Sequence, residues 1–477
     1  MPDLLSLYYH LPYPLRVLAV SIQGYWLNRW RYNRQIDALV EAALERERWP
    51  AAQWLNWQEE RLGRMLEYAA RNVPYYRERW ARRRRQGDRA GWDLLHNWPV
   101  LSKEELRAHP EAFLSEQVSA RGLLRERTGG TTGTPLNLWA SREALVEWYA
   151  LAEARWRRWY GISQRDRWAN VGVRPVAPYQ AVRPPFWVWN AGMRQLYLSS
   201  LHLKPEFLPH YVQALKAYRI QYLYGYPSAY FWLAHYLNDQ GETLPMQVVV
   251  ASSENLFDFQ RAAIEQAFAC PVRETYGQSE KITAAGECEA GGLHLWPEVG
   301  YTEFQPVEAY EPWPDLTPPA GRAAQTEALY ARLICTTLIN PAMPLIRYDI
   351  LDLVEQPAHP APCACARTLP ILGRVLGRYE DTVLTRDGRR VGHLVGYLSA
   401  GAPVKEIQII QEALEAVTVK VVPAHDWSQA DAKLMKNKLH SRIGDCRVTV
   451  ELVPQIERAR SGKLQAVISK ISPRDKM

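Results

Sequence analysis

The sequence has no apolar run long enough to span a membrane. Residues 15–27 are fairly apolar but are interrupted by Arg16, Ser21 and Gln23, well short of the ~20 residues a span needs. No secretory signal is visible either. Cysteine is scarce. Six in 477 residues do not make a disulfide framework, so reduced thiols in a cytoplasmic protein are expected. There is no lysine-rich tail. The run from Arg82 to Arg85 lies in a polar, helix-like stretch and reads as a solvated face, so nucleic acid is not an expected partner. Internal repeats are lacking as well.

What is present indicates a globular chain. At this length one core is not enough, and two domains with a helical extension are expected. The residues are 47% hydrophobic and 23% charged, with a formal net charge of +7. A generic basic surface explains that charge. Attraction of nucleotide phosphates or of an anionic membrane surface is the alternative. Tryptophan is abundant at 19, and many lie early, among them Trp26, Trp30, Trp49, Trp54, Trp57 and Trp80. The Trp54/Trp57 spacing suits one helical face, so packing is expected, with contact to a membrane surface as the other reading.

Residues 1–100 read as mostly helical. Segments 35–48 and 51–71 carry apolar residues at spacings of three and four, and Asn72-Val73-Pro74 breaks the second. Ser102 followed by Glu105 forms a capping-box pattern. After a Gly/Thr-rich loop, 136–140 reads as a strand, and Ser141 caps a helix reaching about residue 160. Strand and helix then alternate: strand 220–224, turn 225–227, helix 228–239, strand 247–251, helix 257–269, strand 271–276. This order predicts an α/β domain with a parallel sheet, whose ligands lie beyond the C-terminal strand ends. Residues 306–325 read as a surface loop, and 373–377 as a boundary. Beyond it, strands 406–411 and 416–422, helix 428–443 and strand 447–453 predict a small α+β domain.

The sharpest feature is Thr128-Gly129-Gly130-Thr131-Thr132-Gly133-Thr134-Pro135. Its glycines allow a close backbone approach, and its hydroxyls and N–H groups can donate to phosphate oxygens. It lacks the Gly-Lys-Ser/Thr ending of a Walker loop and leads into a strand rather than a helix. Its spacing is not a dinucleotide fingerprint either. A flexible linker is the bland alternative, which the threonines and the following strand disfavour.

This loop resembles the phosphate-binding loop of the adenylate-forming superfamily of acyl-CoA synthetases. Further pieces follow in the superfamily's order. Tyr276-Gly277-Gln278-Ser279-Glu280 is similar to its aromatic-Gly-x-Ser/Thr-Glu motif. Arg347-Tyr348-Asp349-Ile350-Leu351-Asp352-Leu353 resembles its Arg-Tyr-x-x-Gly-Asp-Leu motif. Gly377-Arg378-Tyr379-Glu380-Asp381 resembles its hinge, and Ser461-Gly462-Lys463 its C-terminal lysine loop. Val73-Pro74-Tyr75-Tyr76, Pro99-Val100-Leu101-Ser102-Lys103 and Gly225-Tyr226-Pro227-Ser228 look like the phenylacetate–CoA ligase-like and CapK-like subgroup.

The resemblance implies a helical N-terminal extension (1–100), an ATP- and substrate-binding α/β domain (101–376) and a small mobile α+β lid domain (377–477). It implies ATP, Mg²⁺, often coenzyme A, and a small-molecule carboxylic acid as substrate. Thr128 to Gly133 would hold the β- and γ-phosphates. Tyr276 would stack on adenine, Ser253 and Glu254 would line the base pocket, and Gly277, Gln278 and Ser279 belong to the same motif. Glu280 would help bind Mg²⁺. Asp352 would accept from the ribose hydroxyls, with Arg378 nearby. Lys463 would bridge the attacking carboxylate and the α-phosphate, and Glu380 would sit in the hinge. Thr128, Glu280 and Lys463 are the implied catalytic set.

Three departures stand out. Leu136 takes the place of a frequent lysine after the loop, Leu351 replaces glycine, and Glu380 replaces the first hinge aspartate.

Tyr226, Pro227 and Ser228 are candidate substrate contacts. Tyr224, Tyr230, Phe231 and Trp232 are either pocket walls or helix packing. Arg174 and Arg183 could meet an acidic substrate. Cys363-Ala364-Cys365, with Cys288 six positions before His294, offers four soft ligands for a structural Zn²⁺. Two unrelated clusters of reduced cysteines are the competing reading. Other open readings are transfer to an amine, hydroxyl or carrier protein in polysaccharide or secondary-metabolite biosynthesis, or an inactive relative acting as a structural partner. A dimer is compatible with the sequence.

Overall fold

The computed structural model describes residues 4–128, 136–172, 174–178, 180–307, 328–357, 362–378, 382–386, 390–391, 394–399, 402–459 and 463–471. The N-terminal region is helical, as read. Helix Ile36–Arg46 is followed by Ala51–Asn72, and Pro74 at the first position of Pro74–Arg85 starts a new helix. Proline is tolerated there because that N–H has no intrahelical partner. The Ser102 capping box is formed, with Glu105 N–H donating to Ser102 Oγ at 3.2 Å. Trp54 and Trp80 are buried, and Trp49, Trp54 and Trp57 form a ring cluster. Most of the early tryptophans are therefore packing residues, whereas Trp26 is 62% exposed.

The helical region is fixed to the next layer by a buried charge network. Arg155, fully buried on helix Arg142–Trp156, donates to Glu47 at 3.2 Å and to Glu298 at 2.7 Å. Removing one partner from such a group strands a charge away from water, which is strongly destabilising.

The central sheet has eight strands. Five are parallel, in the order Val272–Gly277, Val248–Ala251, Tyr222–Gly225, Trp168–Gly172, Gln195–Ser199. Antiparallel strands flank them: Ala284–Glu287 and Leu293–Leu295 on one side, Trp187–Asn190 on the other. The strand burial is nearly continuous, with Val248 to Val250 fully buried, as a sheet covered on both faces requires. A second, antiparallel sheet comprises Gly300–Pro306, Ala328–Thr337, Tyr348–Pro357 and Arg374–Arg378. The strand Arg374–Arg378 occupies most of the expected boundary at 373–377, and part of the expected loop (308–325) lies outside the described residues.

A third sheet, Arg447–Leu452, Ala416–Pro423, Val404–Ala413 and Val467–Ser469, carries helix Gln429–Ile443 and forms the small C-terminal unit. It packs on the large domain. Val422 and Ile456 join the core around Tyr230, Phe231 and Trp232 of helix Pro227–Asp239. Trp232 Nε1 donates to Glu406 at 2.6 Å, and Arg458 pairs with the same carboxylate.

Candidate active site

Strands Leu124–Arg127 and Asn137–Ala140 form an antiparallel hairpin whose connection is the Gly/Thr-rich loop. Its mouth is closed reciprocally. Thr128 N–H donates to the Leu136 carbonyl at 3.2 Å, and Leu136 N–H donates to Thr128 Oγ1 at 2.9 Å. Leu136 is fully buried in the second core. The residue that stands where many superfamily members have lysine therefore closes the base of the hairpin connection with its backbone and packs its side chain into that core. Gly129, Gly130, Thr131, Thr132 and Gly133 lie outside the described residues.

Thr128 faces a cleft of about 800 Å³ shared by the large domain and the C-terminal unit. Ser228, Ser253, Glu254, Tyr276, Gly277, Gln278, Ser279, Glu280, Asp352, Arg378 and Lys463 line it too. Separate parts of the fold deliver them. Ser253 and Glu254 follow strand Val248–Ala251, and Tyr276 ends strand Val272–Gly277. Both lie beyond or at C-terminal strand ends, where open α/β sheets hold ligands. Asp352 comes from the second sheet, where it is the direct cross-strand partner of Arg378.

Asp352 is the most constrained of these groups. Tyr276 Oη donates to its Oδ2 at 2.6 Å, and Gln278 Nε2 donates to Tyr276 Oη at 3.1 Å. Burial pushes the Asp352 carboxyl above its usual range, opposed by Arg378 and the Tyr276 hydroxyl. Tyr276, read as an adenine platform, thus also orients the candidate ribose acceptor. Leu351 has φ of 61°, and its N–H donates to Asp349 Oδ1 at 3.0 Å. A glycine would adopt this left-handed backbone without strain.

Glu280 accepts from Tyr348 Oη at 3.4 Å. Glu254 plays a part that its position in the sequence did not reveal. It accepts from Ser228 N–H at 3.3 Å and from Leu464 N–H at 2.8 Å. One carboxylate thus joins the start of helix Pro227–Asp239 to the residue after Lys463. Burial lowers the Lys463 ammonium below the usual lysine range, partly offset by Glu254, Asp352 and Glu280. Ser461, Gly462 and Glu380 lie outside the described residues.

Tyr226 and Pro227 start helix Pro227–Asp239 rather than lining the cleft, and Tyr230, Phe231 and Trp232 are buried in its packing. Of that aromatic group only Tyr224 reaches the cleft. There it meets Trp156 at a ring-centroid distance of 5.9 Å, with Trp148 at 5.7 Å from Trp156 and Tyr149 on the same wall. Trp148, Tyr149 and Trp156 project from helix Arg142–Trp156, whose sequence gave no hint of a site. Arg174 lines the cleft and stacks on Tyr197, whereas Arg183 is exposed elsewhere. Lys281 also lines the cleft, paired with Glu126 at the base of the loop hairpin. Lys103, inside a motif already singled out, is a further cleft residue. Cys288, His294, Cys363 and Cys365 converge outside the cleft.

Residues 384–470 match the family described as the CapK C-terminal domain. The protein CapK of Staphylococcus aureus is 23% identical over 98% of this chain and 99% of its own length. A phenylacetate-coenzyme A ligase of Thermus thermophilus is 25% identical over 86% of this chain and 95% of its own. Among solved structures, 2-hydroxyisobutyryl-CoA ligase in its postadenylation state, bound to an acyl-AMP, aligns with a TM-score of 0.65 at 20% identity, covering 90% of this chain and 92% of that one. The same ligase in its thioesterification state aligns at 0.51. In sequence the chain is thus a relative of CapK and the phenylacetate-coenzyme A ligases, and its fold is that of the acyl-CoA ligases of the adenylate-forming superfamily.

Proposed function

We propose that this chain is an AMP-forming acid–thiol ligase. A carboxylate oxygen attacks the α-phosphorus of ATP, and the bond to the pyrophosphate oxygen breaks. The acyl-adenylate is then attacked by the coenzyme A thiolate and AMP leaves. The observation that carries this reading is the convergence of Lys463 with Asp352 and Arg378 in one cleft, which Thr128, the first residue of the Gly/Thr segment, also lines.

Each residue has a physical task. Lys463, a compact charge, offsets the negative charge that builds between two anionic reactants. Asp352, aimed by Tyr276, accepts from the ribose hydroxyls beside Arg378. Thr128 and the loop after it donate to the terminal phosphates. Glu280 offers carboxylate oxygens in the cleft, the donor type that Mg²⁺ prefers, and the ion would neutralise phosphate charge there. Trp148, Trp156 and Tyr224 form an apolar wall suited to a bulky or aromatic acyl group, with Arg174 on the same cleft. ATP and coenzyme A as substrates, together with six free cysteines, support a cytoplasmic setting. Among the described residues no helix is long and apolar enough to cross a membrane.

The test is ATP–pyrophosphate exchange across a panel of aromatic and aliphatic carboxylic acids, followed by product analysis with and without coenzyme A. Acid-dependent exchange with thioester formation is expected. Exchange without thioester would transfer the reading to an amine, hydroxyl or carrier-protein acceptor. No exchange with any acid, while ATP still binds, would favour a non-catalytic relative.

A further inference from the structure

We infer that Cys288, His294, Cys363 and Cys365 form a closed structural zinc site, independent of the catalytic cleft. Their four ligand atoms lie within 4.8 Å of one another. Cys288 Sγ is 3.5 Å from Cys363 Sγ, and Cys365 Sγ is 3.3 Å from His294 Nε2. Sulfurs bonded at ~2.3 Å to one tetrahedral ion stand roughly 3.8 Å apart, whereas a disulfide needs about 2.05 Å. The observed spacing fits the ion. His294 Nδ1 lies 2.9 Å from the Leu369 carbonyl. That bond places the proton on Nδ1 and leaves the Nε2 lone pair facing the thiols, the usual outer support of a metal-bound imidazole. Cys288 and His294 are fully buried. A side chain at Gly292 would collide with Cys363 Sγ at 2.9 Å, so the backbone is shaped around that sulfur. Three thiols and one imidazole in tetrahedral reach select zinc, with no open position for catalysis.

The site joins two distant stretches of chain. Cys288 and His294 belong to the hairpin edge of the central sheet, while Cys363 and Cys365 lie between strand Tyr348–Pro357, which bears Asp352, and strand Arg374–Arg378. Leu372 N–H donates to Leu293 O and Leu295 N–H to Pro370 O, each at 2.8 Å, so this connection also covers the sheet edge. Zinc would thus staple the connection between Asp352 and Arg378 to the sheet that carries Tyr276.

The experiment is elemental analysis of the full-length protein expressed in zinc-supplemented medium, with thiol titration before and after a mercurial reagent. One zinc per chain is expected. Cys365→Ser and Cys288→Ser should lose it and melt at lower temperature, while Cys446→Ser should keep it. Less than stoichiometric zinc in the wild type, iron in its place, or a Cys288–Cys363 disulfide by intact mass would overturn the site. The wild-type measurement decides even if the cysteine variants fail to fold.

A different observation carries a second proposal. On helix Tyr13–Arg31, Leu15, Leu18, Ile22, Tyr25 and Trp26 are each 47–62% exposed and fall within an arc of about 100°. The opposite face packs on the fold through Val17, Val20 and Gly24. Residues 4–31 contain no Asp or Glu, exposed Arg29 falls within the same arc, and exposed Arg34 follows three residues after the helix ends. An apolar stripe edged by cations and free of acids fits an anionic lipid surface, and self-association would bring like charges together. We propose that this face docks on anionic membranes. Co-sedimentation with vesicles of phosphatidylcholine containing phosphatidylserine should be strong at low salt and weak with phosphatidylcholine alone. Ile22→Glu/Trp26→Glu should abolish it without shifting the melting temperature. No binding to the anionic vesicles, or a dimer in ultracentrifugation that the same variant dissolves, would overturn it.

Discussion

On the large-domain wall of the cleft, Asp352 is set by a cross-strand pair, a buried ring hydroxyl at 2.6 Å and a supporting amide. On the opposite wall, Lys463 is positioned through the contact of its neighbour, the Leu464 N–H on Glu254 at 2.8 Å, and through the packing of Val422 and Ile456. The first wall is preorganised by secondary structure. The second lies on the C-terminal unit, whose sheet is separate from those of the large domain and meets it through side-chain packing and single hydrogen bonds. The two-step reaction proposed above would use that asymmetry, because the nucleotide must stay while the lysine gives way to a thiol.

The largest expected effect comes from the docked wall. Lys463→Ala should slow ATP–pyrophosphate exchange by about 10²–10³-fold, the usual loss on removing one charge-stabilising donor (~3–4 kcal/mol). Thioester formation from a preformed acyl-adenylate should be almost unchanged. If both half-reactions fell equally, Lys463 would belong to the permanent wall and the contrast would fail. Burial also lowers the Lys463 ammonium. Exchange should therefore decline with rising pH earlier than an ordinary lysine would dictate, and the Lys463→Ala profile should lack that limb.

On the preorganised wall, Asp352→Asn should raise the KM for ATP by roughly 10–100-fold, as expected for weakening hydrogen bonds to a charged acceptor (about 1.5–3 kcal/mol). Stability should move the other way. The folded-state pKa of Asp352 is raised by burial, so the folded protein binds its proton more readily than the unfolded chain. The associated stabilisation is full below the unfolded value and is lost as pH rises through the folded one. Asparagine removes that pH dependence, so the variant should melt at or above the wild-type temperature at pH 8. A clear loss of stability there would show that the charged form supports the fold.

Glu254→Ala tests the latch between the walls. Losing one hydrogen bond to Leu464 should weaken docking by about 1 kcal/mol. Exchange should fall several-fold, and limited proteolysis should cut faster in the connection around residue 380. An unchanged cleavage rate would assign docking to the apolar contacts alone.

The two walls were not equally legible in the sequence. The parallel core was, because strands such as Val248–Ala251 are short apolar runs separated by amphipathic helices. The antiparallel sheet that bears Asp352 was not. Gly300–Pro306 and Ala328–Thr337 carry one charged residue each, the charges of Tyr348–Pro357 recur at every third position rather than every second, and a Pro-rich segment separates the first two strands. Local periodicity also failed to show which way helix Pro227–Asp239 turns, so Tyr230, Phe231 and Trp232 looked as eligible for the pocket as Tyr224. Trp148, Tyr149 and Trp156 were invisible because a helix crossing a cleft has the same pattern as one crossing a core. The latch role of Glu254 depends on a contact 210 positions away, which no local pattern encodes.

The finest test concerns the backbone that aims Asp352. Leu351, one residue earlier, is held at φ 61°, where a side chain is strained by roughly 1–2 kcal/mol. Glycine would relieve that strain but would loosen the unfolded chain and forfeit a half-buried side chain, so Leu351→Gly should change stability by less than about 1 kcal/mol. Valine cannot make this exchange, because a β-branched residue is a genuine outlier at positive φ. Thermal melts should therefore rank glycine at or near leucine and valine below both by about 1 kcal/mol or more, with ATP affinity following the same order. Equal melting of the leucine and valine proteins would mean that the turn is not held left-handed. Asp352 would then owe its placement to Tyr276 and Arg378 alone.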